Sequence, residues 1–213
     1  MTVADLLTAH HLIPVVVVTD AAQAQPLADA LIGGGLPVAE VTLRTEAGLP
    51  AIKALAGRPE ILLGAGTVTT AAQLEQAVEA GARFVVSPGF SPRLAERAAE
   101  LAVPLIPGAV TATEIQAALE HGIDLLKFFP AATSGGAAAI KALGGPFRQV
   151  SFVPTGGIGP ANLAEYLRLP GVAAIGGSWM VPTAAIRQGA FGRVRELVAE
   201  AVAQAAGIVR EVD

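Results

Sequence analysis

The sequence predicts an α/β fold, a (β/α)8 TIM barrel with an additional N-terminal helix. Eight short runs of strand-forming residues alternate with alanine- and leucine-rich stretches. The runs recur at a period of roughly 20 to 27 residues, as expected for consecutive right-handed βαβ units. Eight nearly equal units favour closure into a barrel over an open sheet. Because the sequence shows no linker or low-complexity segment, we expect one barrel domain over residues 1–213.

The predicted elements follow from hydrophobic spacing. Residues 2–10 carry apolar side chains at helical intervals and predict a leading helix. The predicted strands are Ile13–Thr19, Pro37–Leu43, Ile61–Gly66, Arg83–Ser87, Pro104–Pro107, Asp124–Phe129, Ser151–Thr155 and Val172–Gly176. The helical stretches include Ala21–Ile32, Thr70–Ala80, Pro92–Leu101, Thr111–Glu120 and Gly136–Leu143. A last helical segment, from Thr183 to about Val209, should close the barrel wall.

The composition argues against several classes of protein. The chain is 53% hydrophobic, yet it contains no apolar run of about 18 residues, so no membrane span is expected. A net charge of −4 and 4% aromatic residues argue against nucleic-acid binding. The first residues, Met1 to Asp5, lack the basic and apolar regions of a secretory signal, and the chain has no cysteine. We therefore expect a soluble, cytoplasmic protein.

Lys127 is a charged residue inside an apolar strand. Its neighbours in Asp124-Leu125-Leu126-Lys127-Phe128-Phe129-Pro130 favour a strand buried on both faces. Burial disfavours the ammonium and makes the neutral, nucleophilic amine accessible, so Lys127 is a candidate nucleophile. The other lysines, Lys53 and Lys141, lie in helical patterns. The alternative is that Lys127 extends to the barrel rim or pairs with a carboxylate such as Asp124.

The second predicted strand carries a glutamate at its centre. Side chains alternate along a strand, so Val38, Glu40 and Thr42 share one face. A carboxylate pointing into a barrel is costly unless it is partnered or protonated, which makes Glu40 a candidate acid/base group. The alternative is an internal salt bridge to Arg44 or Lys127. Arg44 lies beyond the strand end, where its guanidinium suits a carboxylate ligand.

Four strand ends carry small or polar residues. Glycines in Gly64-Ala65-Gly66-Thr67 allow close approach of a ligand or backbone, and Thr67 offers a hydroxyl at the barrel mouth or caps the next helix. The turn Ser87-Pro88-Gly89-Phe90 should wall the pocket. Thr155-Gly156-Gly157-Ile158-Gly159 and Gly176-Gly177-Ser178-Trp179 end strands seven and eight. Glycine-rich loops there are the usual phosphate site of this barrel, although plain turn glycines with Ser178 as an N-cap would give the same pattern.

These groups fit Schiff-base chemistry on a phosphorylated keto acid. The amine condenses with the ketone, and the resulting iminium accepts electrons as a neighbouring carbon–carbon bond breaks. Glu40, acting through a water, would move the protons. No cofactor and no metal are expected, since His10, His11 and His121 should not converge in the predicted fold.

Seven motifs give the chain a resemblance to a known family. They are Glu40-Val41-Thr42-Leu43-Arg44-Thr45, Gly64-Ala65-Gly66-Thr67-Val68, Ser87-Pro88-Gly89, Pro104-Leu105-Ile106-Pro107-Gly108, Lys127-Phe128-Phe129-Pro130-Ala131, Pro154-Thr155-Gly156-Gly157-Ile158 and Gly176-Gly177-Ser178-Trp179. In this order, and over nearly the whole chain, the sequence resembles the bacterial 2-keto-3-deoxy-6-phosphogluconate (KDPG) aldolases, also called 4-hydroxy-2-oxoglutarate (KHG) aldolases.

The resemblance implies a role for each matched residue. Lys127 would form the Schiff base and Glu40 would accept the proton. Arg44 and Thr67 would hold the pyruvate carboxylate. The remaining matches form the pocket and the phosphate loops: Pro88, Phe129 and Thr155 for the pocket, and Gly156, Gly157, Gly177 and Ser178 for the phosphate.

The resemblance also implies the reaction and the assembly. The family is typically a homotrimer that produces pyruvate and glyceraldehyde 3-phosphate in the Entner–Doudoroff pathway, and its members can also cleave KHG to pyruvate and glyoxylate. Three alternatives stay open at this point: an aldolase for the phosphogalactonate epimer or chiefly for KHG, a phosphate-binding barrel isomerase or synthase, and a non-catalytic sugar-phosphate binder.

Overall fold

The computed structural model describes residues 2–208, and in that range eight strands form the barrel that the sequence predicts. The strands are β1 (Leu12–Val16), β2 (Val38–Thr42), β3 (Leu62–Gly66), β4 (Phe84–Val86), β5 (Leu105–Ile106), β6 (Leu125–Phe128), β7 (Ser151–Pro154) and β8 (Ile175–Gly177). All of their pairings are parallel. The α/β barrel prediction is therefore confirmed.

The strand ring consists of two hydrogen-bonded groups. Six strands pair in the order β5-β4-β3-β2-β1-β8, and β6 pairs with β7. The Lys127 N–H donates to the carbonyl of Pro107 at 2.8 Å, and the Ala109 N–H donates to the carbonyl of Lys127 at 2.9 Å. A bridge between Thr155 and Gly176 joins β7 to β8. These contacts close the ring.

Helices surround the strands and supply the leading segment. They are α1 (Val3–His10), α2 (Ala24–Gly33), α3 (Gly48–Leu55), α4 (Ala71–Glu79), α5 (Pro92–Glu100), α6 (Ala112–Glu120), α7 (Gly136–Gly144), α8 (Leu163–Leu167), α9 (Thr183–Arg187) and α10 (Phe191–Ala206). The predicted final helix is thus two helices, and its expected end at Val209 lies outside the described residues. None of the helices described here is long and apolar enough to cross a membrane.

Two predicted strand bounds were wrong. The first strand ends at Val16 rather than Thr19, because Asp20 caps a short 3-10 turn, Ala21–Gln23. The last strand begins at Ile175 rather than Val172, and Val172 makes an isolated bridge to Phe152. After Val16, β-branched residues continue past the point where a neighbouring strand pairs with them, whereas Val172 meets β7 at that one bridge and the ladder to β1 begins only at Ile175.

Local capping explains where several helices begin. Thr111 and Glu114 form a capping box at α6, in which each side chain accepts from the other residue's backbone N–H. Burial raises the pKa of the Glu114 carboxyl, but hydrogen bonds from Val110 and Thr111 outweigh it and hold the pKa below its ordinary value. Such caps contribute about 1 kcal/mol each. The Glu114 side chain therefore stabilises the start of α6.

The alternation of side chains in β6 and β7 separates two layers of the core. Phe128 and Phe152, both fully buried, pack edge to face with ring centroids 6.0 Å apart. Lys127 and Val153 are paired in register and project to the opposite face of the same strands. The lysine side chain therefore points into the barrel.

Candidate active site

The centre of the barrel contains a lysine and a glutamate in contact. Lys127 Nζ lies 3.2 Å from Glu40 Oε1. The two residues are 4% and 2% exposed, so water screens the pair little. A nucleophilic amine and a proton acceptor within hydrogen-bond reach of each other are the arrangement that imine chemistry requires.

Strand pairing fixes the backbone under both side chains. Glu40 lies in register with Val15 on one side and Gly64 on the other. Lys127 is held between Val153 and the Pro107–Ala109 segment. The alternative of Asp124 as the partner of Lys127 was wrong, because the lysine contacts Glu40 and Asp124 is exposed just before β6. Of the two salt bridges considered for Glu40, the structure has the one to Lys127.

An aromatic side chain continues the site from the lysine towards the mouth. Lys127 Nζ lies 5.3 Å from the centroid of the Phe129 ring. A β-carbon on Gly156 would lie 3.4 Å from the same ring. Phe129 therefore lies beside both the amine and the loop after β7.

Arg44 and Thr67 come together at the ends of β2 and β3. Arg44 Nε donates to Thr67 Oγ1 at 3.2 Å, and the arginine is exposed. Thr67 has a φ of +60°, a left-handed conformation that is unfavourable for a β-branched residue and is found mainly at functional sites. The helix-cap interpretation of Thr67 was wrong, because Thr70 caps α4.

The two glycine-rich loops lie side by side at the mouth. The Thr155–Gly176 bridge brings the ends of β7 and β8 together. Gly156 and Gly157 have φ values of +98° and +75°, which only glycine adopts readily. The N-cap interpretation of Ser178 was wrong, because the next helix starts at Thr183 with Pro182 as its N-cap.

Pro88 and Thr155 flank the strand that carries the lysine. A β-carbon on Gly108 would overlap the Pro88 backbone, and Gly108 forms a bridge with Lys127. Thr155 is 6% exposed and its side chain faces Gly176. Pro88 and Thr155 thus lie on either side of β6, at the carboxyl ends of the neighbouring strands.

Sequence reasoning assigned the glycines of β3 to ligand approach and missed the side chains that fill the space above them. A β-carbon on Gly66 would overlap the Glu40 carboxyl group, and one on Gly64 would overlap the Phe84 ring. Gly64 and Gly66 lie two residues apart and therefore face the same side of the strand. That spacing, opposite a glutamate in the neighbouring strand, was the available signal.

A recess of about 260 Å³ lies at the opposite end of the barrel, beside α1 and the starts of β5 and β6. None of the predicted site residues lines it. In this fold the amino-terminal face of the strands serves stability. Within residues 2–208, no three His, Asp or Glu side chains are grouped as metal ligands would be.

Comparison with known proteins identifies the family. The model of the KDPG and KHG aldolase family matches residues 3–197. The chain is 48% identical to the 2-dehydro-3-deoxy-phosphogluconate aldolase of Pseudoalteromonas atlantica, over 96% of this chain and 95% of that protein. It is 47% identical to the KHG/KDPG aldolase of Escherichia coli K12, over 93% of each chain.

A solved structure agrees in detail with the barrel described above. It is the KDPG aldolase of Legionella pneumophila, with pyruvate captured at low pH as a covalent carbinolamine intermediate. The TM-score is 0.90 at 44% identity, covering 92% of this chain and 96% of that one. The chain with its buried Lys127–Glu40 pair therefore belongs to the KDPG and KHG aldolase family.

Proposed function

We propose that this chain is a metal-independent class I aldolase that cleaves KDPG to pyruvate and glyceraldehyde 3-phosphate. The observation that carries the proposal is the buried amine of Lys127, 3.2 Å from the Glu40 carboxyl group. The Legionella aldolase, which holds pyruvate as a covalent carbinolamine, supports the same chemistry. KHG, cleaved to pyruvate and glyoxylate, is the expected second substrate.

Lys127 forms the covalent intermediate. Its neutral Nζ adds to the C2 carbonyl of the substrate to give a carbinolamine, and loss of water gives the iminium. Arginine could not replace it, because a guanidinium stays protonated. The low exposure of Lys127, 4%, keeps bulk water from hydrolysing the intermediate prematurely.

Glu40 moves the protons of the cleavage step. It accepts the proton of the C4 hydroxyl, through a water, as the C3–C4 bond breaks and its electron pair moves into the iminium to form an enamine. The aldehyde product then leaves. Return of a proton to C3 and hydrolysis of the imine release pyruvate and free Lys127. The contact of Glu40 with Nζ supports this role, because the carbons that react are linked to that nitrogen through the imine.

Arg44 and Thr67 bind the pyruvate carboxylate at the ends of β2 and β3. The Arg44 guanidinium uses Nε to hold Thr67 and keeps its terminal nitrogens for the ligand. The loops carrying Gly156, Gly157, Gly177 and Ser178 bind the phosphate at the ends of β7 and β8. Pro88, Phe129 and Thr155 line the space between.

Replacing Arg44 by lysine should raise KM about 10- to 100-fold with a smaller change in kcat, because a charged hydrogen bond contributes about 1.5–3 kcal/mol. Lysine keeps the charge but loses the fork that reaches Thr67 and the carboxylate together. Steady-state kinetics with KDPG measure the effect. Arg148→Lys is the matched control, since Arg148 is exposed and precedes β7 at the other end of the barrel. Equal KM values for the two variants would contradict the carboxylate role.

The substrate assignment is tested by comparing kcat/KM for KDPG, its galactonate epimer and KHG. We expect KDPG to be preferred over KHG, because the two loops add phosphate contacts that the unphosphorylated acid cannot make. A dominant preference for KHG would contradict the phosphate assignment. Preference for the galactonate epimer would place the chain with that related aldolase.

Pyruvate and borohydride separate the aldolase from a phosphate-binding isomerase. Reduction of an imine adds a three-carbon adduct to the reacting amine, and peptide mass analysis locates it. We expect the adduct on Lys127, with exposed Lys53 and Lys141 unmodified. An unmodified Lys127 would favour the isomerase, and tight sugar-phosphate binding without turnover would favour a binding protein.

The assembly and location are part of the proposal. We propose a homotrimer in the cytoplasm, on the basis of the family resemblance. One barrel domain over residues 1–213 is proposed for each subunit. Multi-angle light scattering would measure the mass of the assembly, and a mass of one subunit would contradict the trimer.

A further inference from the structure

Gly66 lies directly beneath the Glu40 side chain. A β-carbon at position 66 would lie 2.6 Å from Glu40 Cγ and 2.8 Å from Cδ, and would overlap Oε1. Carbon atoms that are not bonded pack at about 3.5–4.0 Å. Any residue larger than glycine therefore occupies the space that the Glu40 carboxyl group needs.

The backbone at Gly66 has no freedom to retreat from that contact. Gly66 pairs with Thr42 in the β2–β3 register, and its carbonyl accepts from the Leu43 N–H at 2.8 Å. Glu40 is equally fixed, because β2 pairs with β1 through Val15 and with β3 through Gly64. Only the side-chain torsions of Glu40 remain to respond to a methyl group at position 66.

We infer that Gly66 is a positioning residue for the reaction: its missing side chain seats the Glu40 carboxyl group at 3.2 Å from Lys127 Nζ. This inference rests on the proposed role of Glu40 as the proton acceptor. Gly66 has no side chain that could react, and in this inference it acts through the Glu40 carboxyl group above it. Glycine is thus required at position 66 by the Glu40 side chain of the neighbouring strand, in addition to any room that a ligand needs.

The test is a double-mutant cycle of Gly66→Ala with Glu40→Ala. In the otherwise unchanged chain, Gly66→Ala should lower kcat about 10- to 100-fold, the size expected when a catalytic group moves by about 1 Å. KM should change little, because Arg44 and Thr67 are left in place. In the Glu40→Ala background the three nearest clashing atoms are gone, so the loss of Tm that Gly66→Ala causes in the otherwise unchanged chain should largely disappear.

Two controls make the outcomes separable. Gly57→Ala places a methyl group where no atom lies within 4 Å and should leave kcat unchanged. Gly64→Ala, two residues away on the same face, meets the Phe84 ring instead, and should lower Tm without the selective loss of kcat. If Gly66→Ala folds poorly alone, recovery of Tm in the double variant still supports the contact with Glu40.

Wild-type kcat in Gly66→Ala, or the same loss of Tm in both backgrounds, would overturn the inference while leaving the aldolase proposal standing. Full activity of Glu40→Ala on its own would instead overturn the proposed role of Glu40.

Discussion

Lys127→Ala should abolish aldol cleavage, and Lys127→Arg should do the same. Alanine removes the nucleophile, and arginine keeps a positive charge beside Glu40 but cannot form an imine. Residual turnover should fall below detection in a coupled assay of pyruvate release. Lys53→Arg and Lys141→Arg are the matched controls and should keep wild-type rates, because both lysines are exposed. Substantial activity in either Lys127 variant would contradict the assignment.

Stability changes in Lys127→Ala must be separated from this loss of chemistry. Removing one partner of a buried pair costs about 3–5 kcal/mol, because the other charge is left uncompensated. The alanine variant should therefore still fold, with a lower Tm. The double variant Lys127→Ala/Glu40→Gln removes the uncompensated charge as well, so it should recover stability and remain inactive. Circular dichroism melts beside the assay resolve the two effects.

Glu40→Gln should lower kcat about 100- to 10,000-fold, the range that general acid–base catalysis supplies. The amide has nearly the shape of the carboxyl group and can still contact Lys127, but it cannot accept a proton from the substrate hydroxyl. Pyruvate–borohydride trapping should fall much less than cleavage, since the lysine is still present. Rapid-quench measurement of both rates gives the comparison.

Glu46→Gln is the control for this substitution, because Glu46 is exposed on the turn after β2. It should leave both rates unchanged. Equal losses of trapping and cleavage in Glu40→Gln would mean that the carboxyl group only holds Lys127 in place, which is the salt-bridge interpretation raised from the sequence.

The repeated strand–helix pattern predicted the barrel, because each βαβ unit has a similar arrangement of apolar residues. It could not place the ends of β1 and β8, where Val18 and Val172 satisfy the pattern but make no ladder pairing. Pairing there depends on the neighbouring strand, which a local pattern does not contain. The turn at Asp20 shows the same limit, since its cap competes with further extension of β1.

The site residues were predictable wherever a polar side chain interrupts an apolar strand. Lys127 and Glu40 both do so, and their inward direction follows from alternation alone. The two residues lie 87 positions apart in the sequence, and their contact depends on the closure of the strand ring. From the sequence, this contact was therefore only one of several alternatives. The left-handed Thr67 and the filled space above Gly66 depend on atoms of other strands. The spacing of Gly64 and Gly66 indicates that one face of β3 is bare, but it does not say which side chain lies over that face.

Lys127 contributes to the site through its side chain and to the barrel through its backbone. Its amine is the proposed nucleophile, while its own N–H and carbonyl join β6 to the Pro107–Ala109 segment. The barrel thus consists of a six-stranded group and the β6–β7 pair. Lys127 lies where β6 meets the six-stranded group, and its side chain crosses the barrel to Glu40 on β2 of that group. If the hydrogen bonds between β6 and the Pro107–Ala109 segment lengthened, the Lys127 amine would move relative to the Glu40 carboxyl group. The closure of the barrel therefore also sets the distance between these two groups.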